Sequence, residues 1–259
     1  MQILIIGSDA RYGFAARELK KYGFEITTDV AKNADAVVIP INQSGQTVTV
    51  KGKKLALGDV VRMKAGAVFF GGAALDGALC GIFGGTKHFD ITKNEEFARE
   101  NAYLTAEGAL GILIEKLPVS VRGARVYILG FGRIGRALAS MLSSLGAVVT
   151  VFARSEEARA EAAKMCASRE FPAFDGCFDA VVNTVPARVL TKKQKKLIKD
   201  DALVIELASA PGGFTGEDVS AFGARYINAP GLPGKTSPAS AGKIIAKAIF
   251  DIIKGENNK

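Results

Sequence analysis

Gly130-Phe131-Gly132-Arg133-Ile134-Gly135, followed further on by Ala153-Arg154-Ser155, are the residues whose types and spacing imply chemistry most directly. The first glycine permits a tight turn, the second lets backbone approach a pyrophosphate, and the third lets a helix pack on a strand. A helix opening at such a turn offers unpaired N–H groups and a partial positive charge to phosphate. The chemistry implied is the binding of a dinucleotide.

The end of the next strand decides which dinucleotide. A site for NAD places Asp or Glu about 20 residues on, to hold the ribose 2′-hydroxyl. This chain has Arg154 and Ser155 there instead. A carboxylate repels a 2′-phosphate, whereas a guanidinium and a hydroxyl bind it with charge-assisted bonds of about 1.5–3 kcal/mol. NADP is the expected cofactor. The structural alternative leaves Arg154 solvated and makes Ser155 the N-cap of a helix opening at Glu156-Glu157. Arg133 either reaches phosphate or rests on the surface.

Other constellations are less specific. Arg11, in Gly7-Ser8-Asp9-Ala10-Arg11, is a cation in a first helical turn, where the dipole disfavours it. It either faces an anion or pairs with Asp9. Asn101, Thr105 and Gly108 share one helical face next to Glu107, as a catalytic set, a solvated stripe or a helix–helix hydrogen bond. Pro230-Gly231-Leu232-Pro233-Gly234-Lys235-Thr236-Ser237-Pro238 is expected to lead into a helix at Ala239, as a carboxylate cradle with Lys235 and Thr236 or as a rigid loop. His88 is the only histidine and is expected at the surface. With none after it, the histidine–carboxylate relay of the D-2-hydroxyacid dehydrogenases is excluded. No metal-ligand spacing is present.

These residues need α/β elements to position them. Arg125–Leu129 and Val148–Phe152 are apolar enough for buried parallel strands. Between them Ile134, Ala137, Leu138, Met141, Leu142 and Leu145 recur at helical spacing, and Gly146 closes the helix. Later strands end at Asn183-Thr184-Val185-Pro186 and at Glu206-Leu207-Ala208-Ser209, the carboxyl edge where open parallel sheets bind ligands. Upstream, strands are expected at Ile3–Ile6, Phe24–Thr28, Ala36–Ile41 and Ala67–Phe70, with a helix from Tyr12 to Tyr22, and Gly45 and Gly52 as turn signals. A long helical pattern runs from Asn94 to Leu117 and stops at Pro118, and the tail from Ala239 to Lys254 is another helix. The fold class is α/β with two domains. Residues 121–228 form a Rossmann-type parallel-sheet domain, and 1–100 with 229–259 a smaller flavodoxin- or Rossmann-like α/β domain. An interdomain helix spans 101–120, and a ligand cleft is expected between the domains.

Composition bounds the rest. With 259 residues, 48% of them hydrophobic, the chain is long and apolar enough for two cores. Cys80, Cys166 and Cys177 are odd in number and read as reduced thiols of a cytoplasmic chain without a secretory segment. No apolar run approaches the ~20 residues that span a bilayer. The formal charge of +8 suits anionic ligands. Lys192, Lys193, Lys195, Lys196 and Lys199 crowd one short helical segment, with Leu197 and Ile198 inward. That is a solvated face or a partner surface; no aromatics interleave to stack bases, so a nucleic-acid module is not expected.

With those residues assembled, the chain resembles the A subunits of dipicolinate synthase over nearly its full length. The resemblance is carried by Gly7-x-Asp9-x-Arg11, Thr105-x-Glu107-Gly108, Leu129 to Gly135, Ala153-Arg154-Ser155, Asn183 to Pro186, Leu207-Ala208-Ser209 with Pro211-Gly212-Gly213, and Ala229 to Gly234 with Ala241-Gly242. Departures are a poor fit over Ser44–Asp76 and Glu206 in place of an expected Asp. The resemblance implies an NADP-dependent oxidoreductase of a sporulating bacterium. It would make dipicolinate (pyridine-2,6-dicarboxylate) from 4-hydroxytetrahydrodipicolinate or its dehydrated dihydro form. Its implied partner is a flavoprotein-like B subunit, and an oligomer is implied too. Asp9, Arg11, Asn101, Lys235 and Thr236 are then the substrate-binding candidates, and Glu107 and Thr105 the catalytic ones. Gly130, Phe131, Gly132, Arg133, Ile134, Gly135, Arg154, Ser155, Asn183, Thr184, Val185, Pro186, Ala208 and Ser209 are the cofactor-binding candidates. Competing readings are an oxidoreductase of another small carboxylate and a catalytically silent NADP-binding subunit.

Overall fold

The computed structural model describes residues 1–7, 9–42, 46–50, 53–61, 63–72, 82–176, 178–222 and 225–257. Ser8, Gly45, Gly52, Cys80 and Cys177, all noted in the sequence, lie outside the described residues. The chain divides into two compact units, Met1–Asn101 with Pro233–Lys259, and Ala102–Leu232.

The first unit opens with β1 (Gln2–Ile5), α1 (Ala10–Lys21), β2 (Glu25–Thr27) and β3 (Ala34–Val38). An antiparallel hairpin, β4 (Thr47–Val50) and β5 (Lys53–Ala56), and a single turn α2 (Leu57–Val60) precede β6 (Met63–Gly71) and β7 (Lys87–Asp90). Its five-stranded sheet is parallel, in the order β2-β1-β3-β6-β7. Counted along this sheet, that is the 2-1-3-4-5 order of flavodoxin-like folds. Successive residues of the central strands serve opposite faces. Ile3, Ile5, Val38 and Phe70 pack with Tyr12, Leu19, Ile245 and Ile249, while Leu4, Ile6, Val37 and Phe69 pack with Ile39 and Leu57. His88 sits on the edge strand and is half-buried rather than on the open surface.

The long helix α3 (Glu95–Lys116) begins in the first unit and passes into the second at Ala102. There follow β8 (Arg125–Leu129), α4 (Arg133–Ser144), β9 (Val148–Phe152), α5 (Glu156–Ala162), β10 (Ala167–Arg169) and β11 (Ala180–Asn183). Then come α6 (Lys192–Lys195), β12 (Leu203–Glu206), α7 (Gly216–Phe222), β13 (Tyr226–Asn228), the short α8 (Leu232–Thr236) and α9 (Pro238–Asn257). The six strands of the second unit are parallel, in the order β10-β9-β8-β11-β12-β13. This is the 3-2-1-4-5-6 order of the Rossmann fold, with its switch point between β8 and β11. The two-domain α/β expectation is borne out.

Three local expectations are corrected. Leu145 is 46% exposed, because α4 ends at Ser144 and Gly146 turns the chain away at φ +81. Leu197 is also exposed and only Ile198 turns inward, since α6 ends at Lys195. Lys195 is the half-buried member of the lysine run, its ammonium bonding Asp218 at 2.5 Å. The Pro230–Pro238 stretch is not a loop into a helix at Ala239. Leu232–Thr236 is itself helical, and α9 starts at Pro238. Pro233 fits an opening turn because its missing N–H has no helical partner there.

Candidate functional site

The glycine turn closes β8 onto α4. Gly130 has φ +99, a region that L side chains avoid, and its N–H donates to Phe152 O at 2.8 Å. A Cβ on Gly130 would stand 2.6 Å from both Thr184 Oγ1 and Val185 Cγ2. On Gly135 it would stand 2.2 Å from Gly130 O, so helix and turn touch through backbone. Gly132 differs: a Cβ there meets nothing within 4 Å, and no side chain caps α4. The first-turn N–H groups are thus open to an anion, which is the fit a pyrophosphate requires. Arg133 is the first residue of α4 and exposed, and Ile134 is half-buried against the core. The Phe131 side chain is buried in the core, with the Arg136 guanidinium over its ring.

Thr184 and Val185 brace this turn from β11. Thr184 donates its hydroxyl to Leu129 O at 2.8 Å, and Pro186 is exposed beyond them. Asn183 is fully buried and faces inward. Its Nδ2 donates to Val185 O at 2.9 Å and to Glu206 Oε1 at 2.7 Å, which removes the side chain from cofactor contact. Glu206 is 3% exposed and also accepts from Ala208 N at 3.0 Å and Gly213 N at 2.8 Å. Burial raises its pKa above the usual carboxylate range, against the lowering effect of the Gly213, Asn183 and Ala208 donors. Ala208 is half-buried and Ser209 exposed, its carbonyl accepting from Gly212 N.

At the end of β9, Ala153 is buried and Arg154 is exposed. Ser155 caps α5, its Oγ accepting from Ala158 N at 3.2 Å, so the capping alternative holds for this residue. That leaves its hydroxyl proton to donate elsewhere. Arg159, which the sequence did not single out, holds the turn: Nη1 donates to Ala153 O at 3.1 Å and Arg154 O at 2.6 Å, while Nη2 pairs with Glu170 at 2.8 Å. Beside it opens a cleft of about 440 Å³ lined by Arg154, Glu170, Phe171, Val185, Arg188 and Val189. It lies at the carboxyl ends of β9 and β11, flanking the glycine turn.

Asp9 and Arg11 follow β1, and the segment before Lys235 and Thr236 meets them there. Asp9 caps α1 and takes Arg11 in a two-pronged ion pair, Nε to Oδ1 at 3.0 Å and Nη2 to Oδ2 at 2.7 Å. Burial alone would lower the Arg11 pKa, but the Asp9 hydrogen bond raises it overall. The expected alternative of an Asp9 pair is therefore observed, with Nη1 the edge that Asp9 does not use. Gly234 lies against the guanidinium, where a Cβ would stand 2.7 Å from Nε. Lys235 and Thr236 follow it, both exposed. On α3, Asn101 is half-buried, Thr105 buried and Glu107 exposed. Two residues apart on a helix, Thr105 and Glu107 face nearly opposite directions.

Among the described residues no group of His, Cys, Asp or Glu side chains is arranged to hold a metal, and no helix is long and apolar enough to cross a membrane.

Residues 95–208 match the model of the D-isomer specific 2-hydroxyacid dehydrogenase NAD-binding domain. The dipicolinate synthase A subunit of Bacillus subtilis is 29% identical over 167 residues, which span 63% of this chain and 56% of that relative. The crystal structure of the corresponding A subunit from Bacillus halodurans superposes with a TM-score of 0.86 at 25% identity, covering 97% of each chain. A transhydrogenase from Sinorhizobium meliloti shares the fold, with a TM-score of 0.75 at 16% identity over 98% of this chain and 94% of its own. The resemblance to the dipicolinate synthase A subunits is borne out in both sequence and fold. The transhydrogenase shares the fold alone, whereas the domain match and the A-subunit similarity support a dehydrogenase-type oxidoreductase with a nicotinamide-dinucleotide-binding domain.

Proposed function

We propose that this chain is an NADP-dependent oxidoreductase that forms dipicolinate from 4-hydroxytetrahydrodipicolinate or dihydrodipicolinate. The observation that carries the reading is the exposed guanidinium of Arg154, with no carboxylate at the end of β9, beside an uncapped helix and an open Gly132. The dicarboxylate product is taken from the similarity to the dipicolinate synthase A subunits. A flavoprotein-like B subunit, an oligomeric and cytoplasmic chain, and a role in sporulation belong to the same proposal.

The α4 first-turn N–H groups hold the pyrophosphate, and Arg154 with the Ser155 hydroxyl holds the 2′-phosphate. When bound, the nicotinamide supplies a hydride acceptor. Arg11, through Nη1, and Lys235 hold the two substrate carboxylates, with Asp9 fixing the Arg11 plane. Asn101 and Thr236 complete the polar wall. The dihydro ring loses one hydride and one proton to become aromatic, and the hydroxylated form loses a water as well. Because aromaticity favours the proton's departure, a weak acceptor suffices, and Glu107 or Thr105 takes that part. The chain's main task is orientation of one ring carbon.

A second reading, a silent NADP-binding subunit that organises a partner, draws on the divergent directions of Thr105 and Glu107. Incubating the pure chain with NADP and freshly generated dihydrodipicolinate separates the two. Growth of dipicolinate ultraviolet absorbance, matched mole for mole by NADPH, is expected for an enzyme. Binding of NADP without turnover would leave the silent reading.

A further inference from the structure

We propose that Arg188 is a second cation for the adenosine 2′-phosphate, acting with Arg154 in the cleft at the carboxyl ends of β9 and β11. The inference rests on the NADP reading above and extends it to a residue outside the glycine fingerprint and the β9 end.

Both arginines line the same cleft of about 440 Å³. They reach it from opposite sides of the glycine turn. Arg154 follows β9, Arg188 lies in the turn after β11, and both strands pair with β8, Phe152 and Asn183 each standing opposite Leu129. Among the described residues neither guanidinium pairs with a carboxylate, unlike Arg136, Arg159 and Arg169 of the same unit, which pair with Glu161, Glu170 and Asp175. Glu170 also lines the cleft, but its Oε1 is bound by Arg159 Nη2 at 2.8 Å, so its charge is compensated. Arg159 also holds the carbonyls of Ala153 and Arg154, which fixes the backbone from which Arg154 projects.

The cleft therefore presents two uncompensated positive charges. A phosphate monoester carries about −1.5 to −2 at pH 7 and accepts hydrogen bonds at three oxygens, enough for two planar guanidinium forks. Phe171, Val185 and Val189 supply the apolar lining that an adenine ring needs. A lone 2′-hydroxyl would leave both arginines without an anion. The pair thus discriminates by charge and not only by contact.

The test is calorimetric titration of the whole chain with NADPH, NADH and adenosine 2′-monophosphate, for the parent, Arg154→Gln and Arg188→Gln. Arg188 is exposed, so its replacement is expected to leave the melting temperature in place. Loss of one charge-assisted contact is expected to weaken NADPH and adenosine 2′-monophosphate by about ten-fold or more, with NADH within about two-fold. If Arg154→Gln abolishes the NADPH preference and Arg188→Gln keeps it, Arg188 is not a ligand, although the NADP reading stands. Equal weakening of NADPH and NADH would place Arg188 on the base or ribose and overturn the proposal. Equal affinity of the parent for NADPH and NADH would end the NADP reading, and this inference with it.

Discussion

Asn183 and Glu206 end adjacent strands and meet through a 2.7 Å hydrogen bond from Nδ2 to Oε1, both side chains buried. The second Glu206 oxygen takes Gly213 N–H, and a Cβ on Gly213 would stand 2.6 Å from Asn183 Nδ2. The turn after β12 is thereby fastened to the turn after β11, whose Thr184 and Val185 bear on Gly130. The pair thus sets the shape of the turns around the glycine motif.

Replacing Asn183 by Ala removes a donor from a buried carboxylate and from Val185 O together. Destabilisation of about 1–3 kcal/mol is expected from the unsatisfied groups, measured by denaturant unfolding. A stability equal to the parent's would show that water replaces the amide without loss.

Glu206 also gives a pH dependence. Its folded pKa is raised by burial, so the folded state holds the proton more tightly than the unfolded state. Its contribution is most favourable below the ordinary carboxylate range and declines as pH rises through the window up to the raised value. Asp218 has the opposite slope. Burial pushes its pKa up, but the Lys195 and Thr215 hydrogen bonds outweigh this and leave it lowered. Its contribution is present above the unfolded pKa and is lost as pH falls through the folded one. Melting curves across the acid range should therefore lose a falling component in Glu206→Gln and a rising one in Asp218→Asn. Parallel curves for the parent and both variants would refute both assignments.

Gly132→Ala and Gly135→Ala form a matched pair. Gly132 has φ −77 and open space, so alanine fits and its effect at an N-cap stays near 1 kcal/mol or less. Dinucleotide affinity should nonetheless fall, because the added methyl stands where phosphate approaches. Gly135→Ala drives a Cβ to 2.2 Å from Gly130 O and should lower the melting temperature as well as binding. Titration and thermal unfolding of both variants separate the effects, and equal loss of stability in the two would contradict this division.

What the sequence made legible follows from local chemistry. Arg125–Leu129 and Val148–Phe152 occur as expected, because central parallel strands are apolar throughout. The glycine turn is readable because Gly130 and Gly135 answer contacts within a few residues or with the facing strand, while Gly132 leaves open space at the helix start. The Pro233 turn is not, since proline marks a loop and a helix start alike. Nothing in a run of lysines says that Lys195 will find Asp218, 23 positions on. The Asn183–Glu206 tie likewise joins two strand ends, and the Arg159–Glu170 pair joins α5 to the residue after β10. Arg188, with no motif around it, gains meaning only from the cleft it shares with Arg154.

Gly234 tests the proposed carboxylate clamp without touching its charges. Alanine suits a helical position, so local propensity favours the change by up to about 1 kcal/mol. The new Cβ would nevertheless stand 2.7 Å from Arg11 Nε and 3.1 Å from Cδ and Cζ. Arg11 is 6% exposed and tied to Asp9 through Nε and Nη2, so it cannot swing aside without breaking that pair. Gly234→Ala is therefore expected to displace Nη1 and raise the substrate KM by about ten-fold or more, the scale of one charge-assisted bond. NADPH affinity should be unchanged, since the glycine turn and the Arg154 cleft both lie in the other unit. Arg11→Ala should raise KM at least as far. A variant in which KM stays constant while stability falls would show that Arg11 serves the fold of α1 and α8, and the carboxylates would then need another anchor.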